Sequence, residues 1–167
     1  YGAMRIQKGI VKPVQVDYVE IGNELDVNYD GRTEWYIQSA NAIIDAIKAV
    51  SPQTKILING PTAPWGYSNE TGYFLNKTKS TERMDQILTA IGTKIDAIAM
   101  HPYYSDGGSM TYPLGFVKEF HDQAVAKTGR DIKFVLTEHS PVWDYTEPGR
   151  MKTVEWNDVI STAASFA

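Results

Sequence analysis

Residues 16–24 read VDYVEIGNE, an apolar strand pattern that stops at a glycine and is followed at once by an asparagine and a glutamate. Three further runs rich in valine and isoleucine come later in the chain: KILIN at 55–59, IDAIAMH at 95–101 and IKFVLT at 132–137. Short apolar runs that alternate with longer segments of helical period are typical of βα units around a parallel sheet. The pattern therefore predicts four parallel strands, the first of them over 16–22.

The segments that follow the strands carry helix signals. The first has an apolar stripe of helical period and ends before Ser51 and Pro52, where proline prevents the helix from continuing. The second contains Ser80 and Thr81, both suitable as an N-cap. We predict helices over 33–50, 81–91, 114–127 and 154–166.

The carboxyl ends of the four strands fall at regularly spaced polar residues. Glu24, Asn59, His101 and Glu138 are separated by 35, 42 and 37 residues, and each interval holds one full βα unit. Near-continuous apolar strands imply a sheet covered on both faces, as in a doubly wound open sheet or in part of a closed (β/α)8 barrel. A complete barrel takes about 250 residues, so four units in 167 residues are close to half of one.

Composition limits the classes of function. With 43% apolar and 22% charged residues, the chain is expected to form one globular domain over 1–167. It contains no cysteine, which excludes thiolate metal sites and thiol nucleophiles. Its apolar runs are far shorter than the roughly 20 residues of a membrane-spanning helix, and its net charge of −4, with scattered Lys and Arg, is unlike that of a nucleic-acid binder. We therefore expect neither a membrane nor a nucleic acid as partner, and a neutral substrate fits better.

Polar residues at the carboxyl ends of the strands are the candidates for chemistry, because the loops there build the active site in both architectures. Glu24 and Glu138 end the first and fourth runs. A single glutamate in this position is often a structural ion-pair residue. Two converging carboxylates supply the acid and the base or nucleophile that cleavage of a glycosidic bond needs. A metal site is the alternative reading, with ligands from His101, Asp106, Glu138 and His139. No HxH or HExxH spacing supports it, and we predict no metal and no cofactor.

The runs GNELD at 22–26 and TEH at 137–139 resemble the retaining glycoside hydrolases of clan A. Together with IKAVSPQTKI at 47–56 and DAIAMHPY at 96–103, they look most like the α-L-arabinofuranosidase and related β-xylosidase families. The resemblance covers nearly the whole chain. It implies an α/β fold of the (β/α)8 TIM-barrel type, present here as about four βα units that correspond roughly to barrel strands 4 to 7. It also favours a secreted or periplasmic parent protein, although the sequence itself leaves the compartment open.

The resemblance assigns roles to individual residues. It implies that Glu24 is the acid/base, that Glu138 is the nucleophile and that Asn23 holds the sugar hydroxyl beside the reacting carbon. It implies that His101 and Tyr103 shape the sugar site and hydrogen-bond the nucleophile. The chain is also rich in aromatic residues that carry a polar group, with ten Tyr and four Trp. Such side chains suit a pocket that is partly accessible to water. Further candidates for substrate contact are Asn59, Trp65, Tyr104 and Trp143.

A second interpretation stays open: a catalytically incompetent half-barrel that only binds carbohydrate or assembles with another chain. A half-barrel exposes two sheet edges, and unpaired edges invite pairing. We therefore expect a homodimer through these barrel edges. The sequence does not define the sugar, the linkage, or endo against exo action.

Overall fold

The computed structural model describes residues 2–12, 15–28, 32–62, 64, 66–68, 74–101 and 111–138. In chain order, the elements in these ranges are α1 (Gly2–Gln7), β1 (Tyr18–Ile21), α2 (Leu25–Asn28), α3 (Thr33–Val50), β2 (Lys55–Asn59), β3 (Tyr67–Ser68), β4 (Phe74–Leu75), α4 (Lys77–Ile91), β5 (Ala97–Met100), α5 (Thr111–Thr128) and β6 (Lys133–Leu136).

The main sheet has four parallel strands in the order β1-β2-β5-β6, which is their order along the chain. In its register Glu20 is the partner of Leu57, and Leu57 is the partner of Ala97. A doubly wound sheet would reverse the strand order at a switch point, and this sheet does not. The structure thus confirms the four predicted parallel strands, arranged as in a segment of a (β/α)8 barrel.

The hydrophobic core lies between this sheet and the helices. Ile56, Ile58, Ile98 and Met100 point from the central strands into one cluster with side chains of α3, α4 and α5. Burying an isoleucine side chain fully contributes about 1.5–3 kcal/mol, so this layer is a main source of stability. Because side chains alternate along a strand, the opposite face of the sheet carries Glu20, Asn59 and His101.

The helix boundaries confirm one prediction and correct others. Helix α3 spans the predicted 33–50. Helix α4 begins at Lys77 instead of residue 81, because the side chain of Asn76 accepts a hydrogen bond from the Lys79 backbone N–H and is the N-cap. The first turn of α4 has no apolar residue, so its helical period is invisible in the sequence. Helix α5 extends beyond the predicted 114–127 at both ends, and the helix predicted over 154–166 lies outside the described residues.

Three short features were not predicted: α1, α2 and the antiparallel pair β3–β4. Helix α1 has six residues, α2 has four, and the strands β3 and β4 have two each. A hydrophobic period needs about ten residues to be recognised, so elements of this length leave no signal in the pattern.

The sheet ends in two edge strands within the described part of the chain. Strand β1 is hydrogen-bonded to β2, and β6 to β5. Self-association through these edges stays a prediction. None of the helices in the described ranges is long and apolar enough to cross a lipid bilayer.

Tyr36 fastens α3 to the carboxyl ends of two strands. Its buried hydroxyl donates a hydrogen bond to the Ile21 carbonyl and accepts one from the Asn59 backbone N–H, both at 2.9 Å. Burial raises the pKa of Tyr36 from 10.0 to about 12. A pKa raised in the folded state means that the stabilisation is complete below about pH 10 and is lost as the pH rises towards 12.

We expect Tyr36→Phe to lower the free energy of unfolding by about 1–3 kcal/mol, because it leaves a buried N–H and a buried carbonyl unpaired. Urea denaturation at neutral pH measures this change. Tyr18→Phe is the matched control: Tyr18 is 54% exposed, and a change there should stay within about 0.5 kcal/mol. Equal effects of the two substitutions would show that the hydroxyl of Tyr36 does not tie the helix to the sheet.

Candidate active site

The turn after β1 places Glu24 in an unusual backbone conformation. Gly22 has φ +89°, and a Cβ at this position would lie 2.5 Å from Leu25 Cδ1. Glu24 has φ 50°, the only positive φ of a non-glycine residue among the described residues. Such a conformation costs on the order of 1–3 kcal/mol and persists only where the surroundings impose it. Here the Leu25 backbone N–H donates a hydrogen bond to Asn59 Oδ1 at 3.0 Å and holds the turn against β2.

His101 connects the carboxyl ends of three strands. Its side chain is 2% exposed, and its Nδ1 lies 3.0 Å from Glu24 Oε1 and 3.8 Å from Glu138 Oε2. On the other side of the ring, Nε2 lies 3.1 Å from Thr137 Oγ1 and 3.7 Å from Glu20 Oε1. The imidazole is thus surrounded by acceptors contributed by β1, by the turn that follows it and by the segment after β6.

The carboxylates around His101 favour its protonated form. Burial lowers the pKa of the imidazole, but the hydrogen bond that the protonated ring donates to Glu24 and the negative charges of Glu138, Glu24 and Glu20 outweigh burial, so the pKa is raised. The ion pairs therefore stabilise the folded chain fully below the ordinary histidine pKa, and this contribution is lost as the pH rises through the raised value.

Glu24 and Glu138 both approach Nδ1 of His101, at 3.0 Å and 3.8 Å respectively. One oxygen of each carboxylate and one nitrogen of His101 all lie within 4.8 Å of one another. The Glu24 side chain is 27% exposed and the Glu138 side chain 41% exposed, so a molecule in solution can reach both. Such atoms bind metals in other proteins, but here Nδ1 of His101 shares a hydrogen bond with Glu24, and we assign no metal to the group.

The other predicted site residues differ in their surroundings. Asn23 is exposed beside Glu24. Asn59 is 1% exposed, and its oxygen supports the turn that carries Glu24, while its contact with substrate stays a prediction. The remaining predicted contacts lie outside the described residues; they are Trp65, Tyr103, Tyr104 and Trp143.

Three residues of this region were missed in the sequence. Glu20 lies on β1, and its Oε1 is 3.7 Å from Nε2 of His101. A charged residue inside an otherwise apolar strand is the sequence signal for it. Thr137 precedes Glu138 and meets the far side of the imidazole. Asp26 is fully buried and accepts a hydrogen bond from the Thr62 backbone N–H at 2.9 Å, which joins the loops after β1 and β2.

The fold class is a part of a (β/α)8 barrel. It is defined by consecutive parallel βα units that carry their polar residues at the carboxyl ends of the strands.

No family model and no curated protein matches the chain. Solved structures do. The GH51 α-L-arabinofuranosidase from Thermotoga petrophila RKU-1 matches 99% of the chain with a TM-score of 0.73 and 20% identity. The α-L-arabinofuranosidase from Thermotoga maritima, solved as an arabinose complex, matches 99% with a TM-score of 0.72 and 19% identity. The GH51 arabinofuranosidase from Xanthomonas axonopodis pv. citri matches 99% with a TM-score of 0.64 and 16% identity.

The chain spans about a third of the length of these proteins, 34%, 33% and 36% respectively. The likeness confirms the predicted fold, a (β/α)8 barrel represented by about four βα units. It also agrees with the resemblance to arabinofuranosidases that the sequence motifs indicate. At 16–20% identity the comparison establishes the fold.

Proposed function

We propose that the chain carries the two-glutamate site of a retaining glycoside hydrolase acting on plant-type polysaccharides or their oligosaccharides. The observation that carries this proposal is the approach of Glu24 and Glu138 to within 4.8 Å, measured between one oxygen of each. Retaining enzymes hold their two carboxyl groups roughly 5–5.5 Å apart, whereas inverting enzymes leave about 6.5–9.5 Å for a water molecule. The spacing supports the retaining mechanism.

In the proposed reaction Glu138 attacks the anomeric carbon, and the bond to the leaving oxygen breaks. Glu24 gives its proton to that oxygen, which leaves a covalent glycosyl ester on Glu138. Glu24, now ionised, takes a proton from a water molecule that attacks the same carbon and releases Glu138. Asn23 would hold the neighbouring sugar hydroxyl, a contact that strengthens in the transition state.

The structural neighbours support a proposed class of substrate. They are described as α-L-arabinofuranosidases, and one was solved with arabinose. We propose a carbohydrate partner for this chain, with α-L-arabinofuranosides and β-xylosides as the first glycosides to examine. The proposed catalytic unit is a single partial domain over 1–167.

The second candidate is a half-barrel that binds carbohydrate without cleaving it. We keep this candidate because the likeness extends over about a third of each solved enzyme, for example 34% of the Thermotoga petrophila protein, and the activity named for that enzyme belongs to its whole length. Homodimer formation through the edges of β1 and β6 belongs to this candidate, because it would cover unpaired strands.

Hydrolysis of 4-nitrophenyl glycosides, followed by NMR of the first-formed product anomer, tests the proposal on this chain and on any longer natural protein that contains it. We expect turnover of the arabinofuranoside or xyloside in at least one of these two samples, with retained anomeric configuration. Binding of the free sugar without turnover in both samples would support the second candidate. Inversion of configuration would contradict the two-step mechanism.

A further inference from the structure

Glu20 is a carboxylate that the proposed reaction does not use. It lies on β1, and its neighbours Val19 and Ile21 pack into the core on the opposite face. Its Oε1 is buried and, among the described residues, has no hydrogen-bond partner. A buried carboxylate oxygen is costly unless a positive or hydrogen-donating group compensates it. A group of this kind, Nε2 of His101, lies 3.7 Å from Glu20 Oε1.

The two nitrogens of His101 face different partners. Nε2 meets the hydroxyl of Thr137 at 3.1 Å and the carboxylate of Glu20 at 3.7 Å. A hydroxyl donates or accepts, so Thr137 alone allows either tautomer of the ring. An ionised carboxylate only accepts, so Glu20 favours the tautomer with the proton on Nε2.

We propose that Glu20 is a positioning residue that keeps a proton on Nε2 of His101, so that Nδ1 and Glu24 share a single proton between them. When that proton is on Glu24, Nδ1 accepts a hydrogen bond from the carboxylic acid. When it is on Nδ1, the ring donates to the ionised carboxylate. Partners on the far ring nitrogen fix histidine tautomers in this way in other proteins.

For catalysis, this arrangement determines where the proton shared by His101 and Glu24 is transferred. The proton of the His101–Glu24 pair passes to the leaving oxygen, and the attacking water returns one to the pair. Among the described residues, the titratable groups that face His101 are Glu20 on β1, Glu24 in the turn after it and Glu138 after β6, while β2 ends in the neutral Asn59. This catalytic consequence rests on the proposed function, but the tautomer does not.

The test is ¹⁵N NMR of the histidine side chains in the chain itself, with the His101 signals assigned by their loss in His101→Asn. In the wild type we expect Nε2 to be the protonated nitrogen when the ring is neutral. In Glu20→Gln, whose amide both donates and accepts, the Nδ1–H tautomer should appear and the titration midpoint of His101 should fall. Glu82→Gln, an exposed acid on α4, is the matched control and should leave His101 unchanged.

A second variant separates Glu20 from Thr137. Thr137→Val removes the other partner of Nε2 and keeps Glu20, so the Nε2–H tautomer should persist. The inference is overturned if this variant loses the tautomer, or if Glu20→Gln gives the same His101 signals and midpoint as Glu82→Gln.

The same variants distinguish this inference from the proposed function. In an active full-length protein, Glu20→Gln should move the alkaline limb of the kcat/KM profile to lower pH. If no glycoside is hydrolysed but the Nδ1–H tautomer of His101 appears in Glu20→Gln, the role of Glu20 stands and the proposed function fails. If glycosides are hydrolysed and the tautomer is unchanged, the proposed function stands and the role of Glu20 fails.

Discussion

Glu138→Ala is expected to lower kcat/KM for aryl glycosides by at least about 10⁴-fold in the active protein, as removal of a nucleophile does in other hydrolases. Alanine has no oxygen that could form the bond to the anomeric carbon, so the glycosyl ester cannot form. The reduction in kcat/KM should be similar for good and poor leaving groups, because each of them departs as the glycosyl ester on Glu138 forms. Release of 4-nitrophenolate from the arabinofuranoside and the xyloside measures it.

Added azide provides the internal check on this variant. A small anion can enter the space left by the carboxylate and attack the anomeric carbon in place of Glu138. The product is then a glycosyl azide of inverted configuration, which NMR identifies. Glu82→Ala, an exposed glutamate on α4, serves as the control and should keep wild-type rates. Near-normal activity of Glu138→Ala would return Glu138 to the role of a structural ion-pair partner of His101.

Glu24→Ala is expected to slow turnover by roughly 10²–10⁴-fold, the usual contribution of a general acid–base group. Its effect should depend on the leaving group, which distinguishes it from the loss of Glu138. A 4-nitrophenolate needs little protonation, so the glycosyl-enzyme still forms, and its hydrolysis becomes slow for want of a base. A poor leaving group such as a second sugar needs the proton, so the first step should also be impaired.

Pre-steady-state measurements detect this dependence on the leaving group directly. With a good leaving group, Glu24→Ala should release a burst of nitrophenolate equal to the enzyme concentration, followed by a slow steady rate. Azide should raise the steady rate and give a glycosyl azide of retained configuration, because it attacks the covalent intermediate. If Glu24→Ala lowered the turnover rate equally for good and poor leaving groups, and released no burst of nitrophenolate, the assignment of Glu24 as acid/base would be contradicted.

The regular part of the fold was predictable because its signals are local. The apolar stripe of α3 and the valine- and isoleucine-rich strands carry their periods within the element itself. The spacing of Glu24, Asn59, His101 and Glu138, one βα unit in each interval, then indicated that the strand ends share one edge of the sheet. The structure brings Glu24, His101 and Glu138 together there.

The rest depends on contacts between residues distant in the chain. The role of Tyr36 has no local signal in the sequence, because its two hydrogen bonds to β1 and β2 exist only once α3 packs on the sheet. Glu20 interrupts an apolar run, yet its nearness to His101 requires both the strand register and the order β1-β2-β5-β6. The N-cap at Asn76 was missed because the helix turn after it is entirely polar.

The most direct measurement of the central claim uses the Glu24→Ala variant of the active protein, in which the covalent intermediate should accumulate. The variant is mixed with an aryl glycoside that has a good leaving group, quenched in acid, digested and analysed by mass spectrometry. We predict one added sugar residue per chain, esterified to Glu138. An added sugar on another residue, or none on a variant that still releases a burst of nitrophenolate, would contradict the claim that Glu138 is the nucleophile of a retaining glycosidase.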